Sequence, residues 1–243
     1  TVVVGGVRIG GGNPVRVQSM TKTDTRDVGT TLAQIRALHR AGCEIVRVGV
    51  PDEASAEAFA EIRRHADVPL VADIHFDPNL ALLALRAGAD KIRLNPGNIQ
   101  NRERLKEIVA EAKARGAPIR VGVNSGSVPM PLVRRHGGPT PQAMVEAALT
   151  YIGWCEDWDF CDLVVSLKSS SVRDTVEAYR LFSEASRYPL HLGVTEAGPL
   201  MESAVRSSLA LGPLLMEGIG DTIRVSITGD PCLEVEVAYE ILR

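Results

Sequence analysis

The sequence predicts an α/β fold: a (β/α)8 TIM barrel over residues 1–243, its base closed by a short N-terminal β-hairpin. Three observations carry the prediction. Short stretches rich in Val, Ile and Leu recur at 15–20, 45–50, 70–74, 91–95, 119–124, 163–168, 190–195 and 222–228. Helical spacing fills the gaps, as in Leu32, Ile35 and Leu38, or Leu105, Ile108, Val109 and Ala112. The length of 243 residues suits eight such units in one domain. A doubly wound open sheet is the competing fold. It wants a glycine-rich turn after its first long strand, where this chain has Gln18-Ser-Met-Thr-Lys22.

In chain order, residues 2–17 read as the hairpin and its exit, with Gly10-Gly11-Gly12-Asn13 at or near the turn. That glycine run opens no helix and lacks a following Lys-Ser/Thr, so it is not a phosphate loop. Asp77-Pro78, Thr140-Pro141 and Asp230-Pro231 each put a capping side chain before Pro at a helix start. Gly88 and Gly116 stand where helix C-caps are expected. The longest strand-to-helix connection, 125–138, carries Pro129, Pro131, Arg134 and Arg135. It is a candidate lid over the barrel mouth, or a solvated loop.

Composition excludes several roles. Lys and Arg number 27 against 30 Asp and Glu, a net charge of −3, which argues against a general nucleic-acid or membrane-surface protein. No apolar run is long enough to span a bilayer and no secretory leader is recognisable, so a cytoplasmic location is expected. Cys43, Cys155, Cys161 and Cys232 have no metal-binding spacing and read as buried reduced thiols. No His/carboxylate metal motif is present, and His39, His65 and His136 read as surface residues.

The charges inside the strands decide more. A barrel strand is covered by helices on one face and fills the lumen with the other. A charged residue in mid-strand therefore belongs to the lumen, where it can reach the mouth. On that parity lie Arg16 and Gln18, Arg47 and Gly49, Asp73 with His75 beyond it, Arg93 and Asn95, and Arg120, Gly122 and Asn124. The later strands add Ser166 and Lys168, His191, Gly193 and Thr195 before Glu196, and Arg224, Ser226 and Thr228. Gly49, Gly122 and Gly193 are expected to leave room for arginine stems or a ligand. Arg47, Arg93, Arg120, Lys168 and Arg224 make five cations, with Asp73 and Glu196 the evident acids. Burying that surplus costs several kcal/mol unless an anion completes it. Arginine forks match phosphate oxygens, so a diphosphate is the natural ligand. Lys168 is read as a phosphate contact rather than a Schiff-base lysine.

Longer motifs then carry a resemblance. Val17-Gln-Ser-Met-Thr21, Val46-Arg-Val-Gly-Val-Pro51, Pro69 to Asp77, Lys91-Ile-Arg-Leu-Asn-Pro-Gly-Asn-Ile99, Ile119 to Gly126, His191 to Gly198 and Glu217 to Ser226 resemble the hydroxymethylbutenyl diphosphate synthase family. The resemblance covers essentially the whole chain. It implies reductive opening and dehydration of methylerythritol cyclodiphosphate in isoprenoid synthesis. It implies Arg47, Arg93, Arg120, Lys168, Arg224 and Ser226 as phosphate ligands and Asn124 as a further substrate contact, with Glu196 and Asp73 at the reacting carbons. It also implies a 4Fe-4S cluster, flavodoxin or ferredoxin as electron donor, and a head-to-tail homodimer. The family holds its cluster in a smaller C-terminal module with a cysteine pattern not found here, so this chain is expected to be the substrate-binding barrel alone. The competing functions are a diphosphate-using barrel of the dihydropteroate synthase type and a non-catalytic phosphate-binding domain.

Overall fold

The computed structural model describes residues 1–74 and 77–243. The chain opens with an antiparallel hairpin, β1 (Val2–Val4) and β2 (Val7–Ile9). Its tight turn is Gly5-Gly6, both at positive φ, as a two-residue hairpin turn requires. The turn is thus one glycine cluster earlier than expected. Gly10 to Asn13 instead forms the next turn, closed by Asn13 N donating to the Gly10 carbonyl at 3.3 Å.

Strand and helix then alternate. The first half runs β3 (Arg16–Met20), α1 (Val28–Arg40), β4 (Ile45–Gly49), α2 (Glu53–His65), β5 (Leu70–Asp73), α3 (Pro78–Arg86), β6 (Lys91–Leu94) and α4 (Arg102–Arg115). The second half runs β7 (Ile119–Asn124), α5 (Met130–His136), α6 (Pro141–Glu156), β8 (Leu163–Lys168) and α7 (Val172–Ala185). It ends with β9 (His191–Leu192), α8 (Leu200–Met216), β10 (Thr222–Ile223) and α9 (Cys232–Leu242). The parallel strands form an 8-stranded sheet in the order β8-β7-β6-β5-β4-β3-β10-β9. A parallel bridge between Val165 and Leu190 closes the ring, so the fold is the expected barrel.

Burial follows parity. One face of the strands, including Val46, Val48, Ala72, Ile92, Leu94, Val121 and Leu167, packs against Ile35, Leu38, Phe59, Ile62, Leu105 and Phe182 of the helices. Each such aliphatic contributes about 1.5–3 kcal/mol when fully buried. The other face enters the lumen. At its floor Ile45, Val71 and Val164 meet Val2, Val4 and Ile9 of the hairpin, which plugs the barrel.

The helix signals hold at Asp77 and Thr140, whose side chains accept from Asn79 N and Ala143 N. Gly116 ends α4 in the left-handed region. At the last helix Pro231 is the N-cap and Asp230 accepts from Cys232 N at 2.9 Å. The stretch 125–138 is neither open loop nor coil. It forms a 3₁₀ turn, Ser125–Ser127, then α5, anchored by buried Leu132 and by Arg135 and His136 on Glu146. Cys161 is exposed and Cys232 partly so, correcting the uniform buried-thiol reading; burial pushes Cys43 and Cys155 up to about 12, which keeps them inert.

Candidate functional site

The register builds the site. Gly49 stands beside Asp73, Asp73 beside Arg93, and Arg93 beside Arg120. On the far wall Gly122 stands beside Ser166 and Asn124 beside Lys168. These positions share one parity, so all their side chains enter the lumen toward the C-terminal ends of the strands.

There they enclose a cavity of about 110 Å³. Arg47, Asp73, Arg93 and Arg120 line one side. Asn124, Ser166, Lys168, Thr195, Arg224 and Ser226 line the other. A more open cleft of about 550 Å³ lies at the opposite end, beside Gly5, Gly6, Asp90 and Arg115. It sits at the N-terminal ends of the strands, the face that barrel proteins use for stability rather than chemistry.

Two glycines make the cationic wall possible. A Cβ on Gly122 would lie 2.6 Å from Arg93 Nε, and one on Gly193 would lie 2.5 Å from Lys168 Nζ and 2.7 Å from the Arg224 carbonyl. Gly49 has no such function, since the nearest atom to its Cβ is the Met20 methyl at an ordinary 3.8 Å.

Asp73 balances two of the cations, with Oδ2 at 3.6 Å from Arg47 Nε and Oδ1 at 3.5 Å from Arg93 Nη1. Arg93 also donates to the Gly122 carbonyl at 3.1 Å. Arg224 is held by an acid that the strand pattern did not reveal, Glu234 of α9, through bonds of 3.0 and 3.1 Å. Glu234 further accepts from Ser19 Oγ at 2.8 Å and Ile227 N at 3.2 Å, and meets Lys22 Nζ at 3.1 Å. Burial pushes its carboxyl up, but Arg224, Ser19 and Lys22 outweigh burial and hold it below the usual range.

Among the described residues no carboxylate forms an ion pair with Arg120, Lys168 or Lys91. Arg120 is 1% exposed, and its Nε and Nη1 have no hydrogen-bond partner among those residues. Burial lowers Arg47 to about 10. Burial, then the neighbouring arginines, drives Lys168 well below an ordinary lysine. Cations in such a field gain most from an incoming anion.

The remaining predicted residues fall elsewhere. Asn95 is buried but does not line the cavity; its amide donates to Ser127 Oγ at 2.8 Å and accepts from Gly97 N at 3.0 Å. It ties the turn after β6 to the one after β7, where a Gly97 Cβ would overlap the Ser127 carbonyl at 1.7 Å. Glu196 follows the lining residue Thr195, is exposed, and holds a left-handed φ of 53°. Arg16 is drawn to the base, 2.7 Å from Glu44. His75 lies outside the described residues. Sequence reasoning passed over Lys91 although it shares the parity of Arg93; Glu234, on a helix, gave no strand-parity signal.

The GcpE TIM-barrel domain matches residues 1–239.

The chain belongs to the GcpE TIM-barrel family.

Its relatives include 4-hydroxy-3-methylbut-2-en-1-yl diphosphate synthase (flavodoxin) of Thermodesulfovibrio yellowstonii, 56% identical over 242 residues, covering 100% of this chain and 69% of that protein. The protein of that name from Maridesulfovibrio salexigens is 57% identical over 99% of this chain and 67% of its own length. That from Nitratidesulfovibrio vulgaris is 57% identical over 100% of this chain and 63% of its own. Among solved structures, dihydropteroate synthase of Yersinia pestis superposes with a TM-score of 0.68 at 14% identity, over 99% of this chain and 97% of that one. A sialic acid synthetase of Leptospira borgpetersenii gives 0.67 at 13%, over 100% and 87%. Those likenesses show the barrel fold alone.

The iron–sulfur cluster expected from the family finds no home in the described residues. No three His, Cys, Asp or Glu among them converge on a metal-binding arrangement. Cys43 and Cys155 are buried in the apolar core, and neither Cys161 nor Cys232 lines the cavity.

Proposed function

We propose that this barrel binds 2-C-methyl-D-erythritol 2,4-cyclodiphosphate and serves its reductive ring opening and dehydration to 4-hydroxy-3-methylbut-2-enyl diphosphate, an oxidoreductase step of isoprenoid synthesis. The observation that carries the reading is the cavity at the mouth, where Arg120 and Lys168 have no carboxylate ion-pair partner among the described residues. Family membership supplies the reaction. In this reading Arg47, Arg93, Arg120, Lys168 and Arg224 grip the diphosphate, and Ser226 and Asn124 hydrogen-bond it. Asp73, between Arg47 and Arg93, orients that pair. Glu196 delivers a proton to the departing hydroxyl. Its exposed position and left-handed backbone suit an acid that engages substrate when the mouth is covered.

The cluster is assigned to residues outside these 243, because the relatives are longer and the cysteines here do not gather. Flavodoxin, named in the relatives' own description, is the proposed electron donor in preference to ferredoxin. A homodimer is part of the proposal. Along the outer face of α8, Met201, Val205, Leu209 and Met216 are 76%, 51%, 60% and 90% exposed, an apolar stripe beside the alternating charges Arg173, Glu177, Arg180 and Glu184 of α7. Light scattering on a Leu209→Glu variant would report a monomer. No helix among the described residues is long and apolar enough to cross a membrane. A cytoplasmic setting is proposed with the rest.

Calorimetry with the cyclic diphosphate tests the site. Arg93→Ala should weaken binding by about 1.5–3 kcal/mol, the value of a charge-assisted pair, with the fold retained. Unchanged affinity would remove Arg93 from the ligand set. Reductive turnover by these 243 residues in iron-free form would overturn the assignment of the cluster elsewhere.

A further inference from the structure

Beneath the cavity lies a second polar layer that the diphosphate does not explain. Lys91, Gln18, His191 and Thr222 are 0%, 1%, 0% and 0% exposed, and none lines the cavity. Lys91 Nζ reaches Gln18 Oε1 at 3.4 Å. His191 Nδ1 lies 3.4 Å from Thr222 Oγ1. Gln18 Nε2, His191 Nε2, and Nε and Nη1 of Arg120 have no hydrogen-bond partner among the described residues. The layer is rich in donors and poor in acceptors.

The groups around Lys91 show why this matters. Arg120 on β7 and Arg47 on β4 project their charge onto it, and Lys91 itself acts with Lys168 of β8 on His191 of β9. Its neighbour in register on β5 is Val71. Asp73, higher on β5, is engaged by Arg47 and Arg93; Arg224, just beyond β10, is engaged by Glu234. Gln18 of β3 offers only an amide. Below lie Ile45, Val71 and Val164 against the hairpin.

An ammonium here is fully buried, and no carboxylate among the described residues pairs with it. The arginines cannot relieve the crowding, since a guanidinium keeps its proton in proteins. Only Lys91, Lys168 and His191 can shed charge. Lys168, 8% exposed, lines the cavity and meets an anion directly. Lys91 cannot.

We propose that Lys91 is a proton-linked counter-charge: neutral in the empty barrel, it takes up a proton when an anion fills the cavity above, so that anion binding and proton uptake are one coupled event. Burial, and after it Arg120 and Arg47, push Lys91 well below an ordinary lysine, in the direction this requires. The anion supplies the negative field that returns the ammonium to favour. Lys91 thus acts as a positioning residue for charge. The sign follows. Its pKa is low in the empty state and higher in the bound state, so affinity for the anion falls as pH rises through the interval between them.

The inference rests on the anion-site reading, and sulfate separates the two. Sulfate remains a dianion throughout the neutral range and brings no proton of its own. Titrating the 243-residue chain with sodium sulfate in buffers of different ionisation enthalpy gives the protons taken up per anion. The expected result is a proton uptake in the wild type that falls by up to about one proton in Lys91→Met, whose affinity varies less with pH. Lysine ¹³Cε shifts on the wild type give the same answer without a variant: the Lys91 signal should move from the neutral to the charged position as sulfate is added. Sulfate binding without uptake, or with uptake unchanged in Lys91→Met, would overturn the inference alone. Failure of sulfate to bind would overturn the anion site and the inference together.

Discussion

Glu234 shows how one side chain can decide what a cation ring is available to do. It comes from α9, not from a strand, and satisfies Arg224, Ser19, Lys22 and the Ile227 amide together. Charge arithmetic on strand parity alone therefore overstates the surplus, because Arg224 already has a partner. It also understates it, because Lys91 was passed over. Glu234→Gln should leave the half-buried Arg224 with a neutral acceptor and destabilise the fold by about 3 kcal/mol, read from urea midpoints. The pH dependence has a definite sign. The folded-state carboxyl is held below its ordinary value of 4.5, so its stabilisation is complete above that value and is lost as pH falls below it. The Gln variant should lose less stability than the wild type between neutral pH and that acid range. Parallel acid-denaturation curves would show instead that Glu234 is not linked to folding.

At the scale of elements, strands with a full ladder were legible and the seam was not. Six strands lie within a residue or so of their apolar runs, because helices cover one face and the lumen the other. β9 and β10 shrink to His191–Leu192 and Thr222–Ile223. Beyond them the chain must present Thr195 and Ser226 to the cavity, and the ladder gives way to loops. The hairpin turn was misplaced because Gly5-Gly6 and Gly10-Gly11-Gly12 both carry positive φ, and only the former lies between alternating apolar residues. The lumen glycines were legible as gaps but not in their consequences, which depend on what occupies each gap. A methyl at Gly193 meets the Arg224 backbone carbonyl at 2.7 Å as well as Lys168. Gly193→Ala should therefore strain the β9–β10 seam and cost about 1–3 kcal/mol in thermal or urea unfolding. At Gly122 the first obstacle is the movable Arg93 side chain at 2.6 Å. Gly122→Ala should keep more of the stability yet weaken diphosphate binding by displacing Arg93. Equal stability losses in the two variants would show that the wall does not distinguish backbone from side-chain obstruction.

For the molecule as a whole, the ring sets a tension between folding and binding. Arg120 and Lys168 stand buried with no carboxylate partner among the described residues, so the empty barrel carries repulsion that folding does not need. An anion that enters only the folded barrel relieves it and stabilises by mass action, by about 2.7 kcal/mol at a hundredfold excess over Kd. For a chain of this size that corresponds to a rise in Tm of about 5–10 °C with pyrophosphate. Sodium chloride at matched ionic strength should give much less, since screening acts weakly on buried charges. Arg120→Met completes the test. Removing a buried guanidinium, two of whose nitrogens have no hydrogen-bond partner among the described residues, should leave the empty barrel as stable as the wild type or more so, while most of the pyrophosphate increment disappears. An empty-state Tm that drops sharply, with the increment intact, would assign Arg120 to the fold and take it out of the ligand site. The opposite pattern would mean that the barrel holds this charge unpaired because its ligand, not its core, supplies the partner.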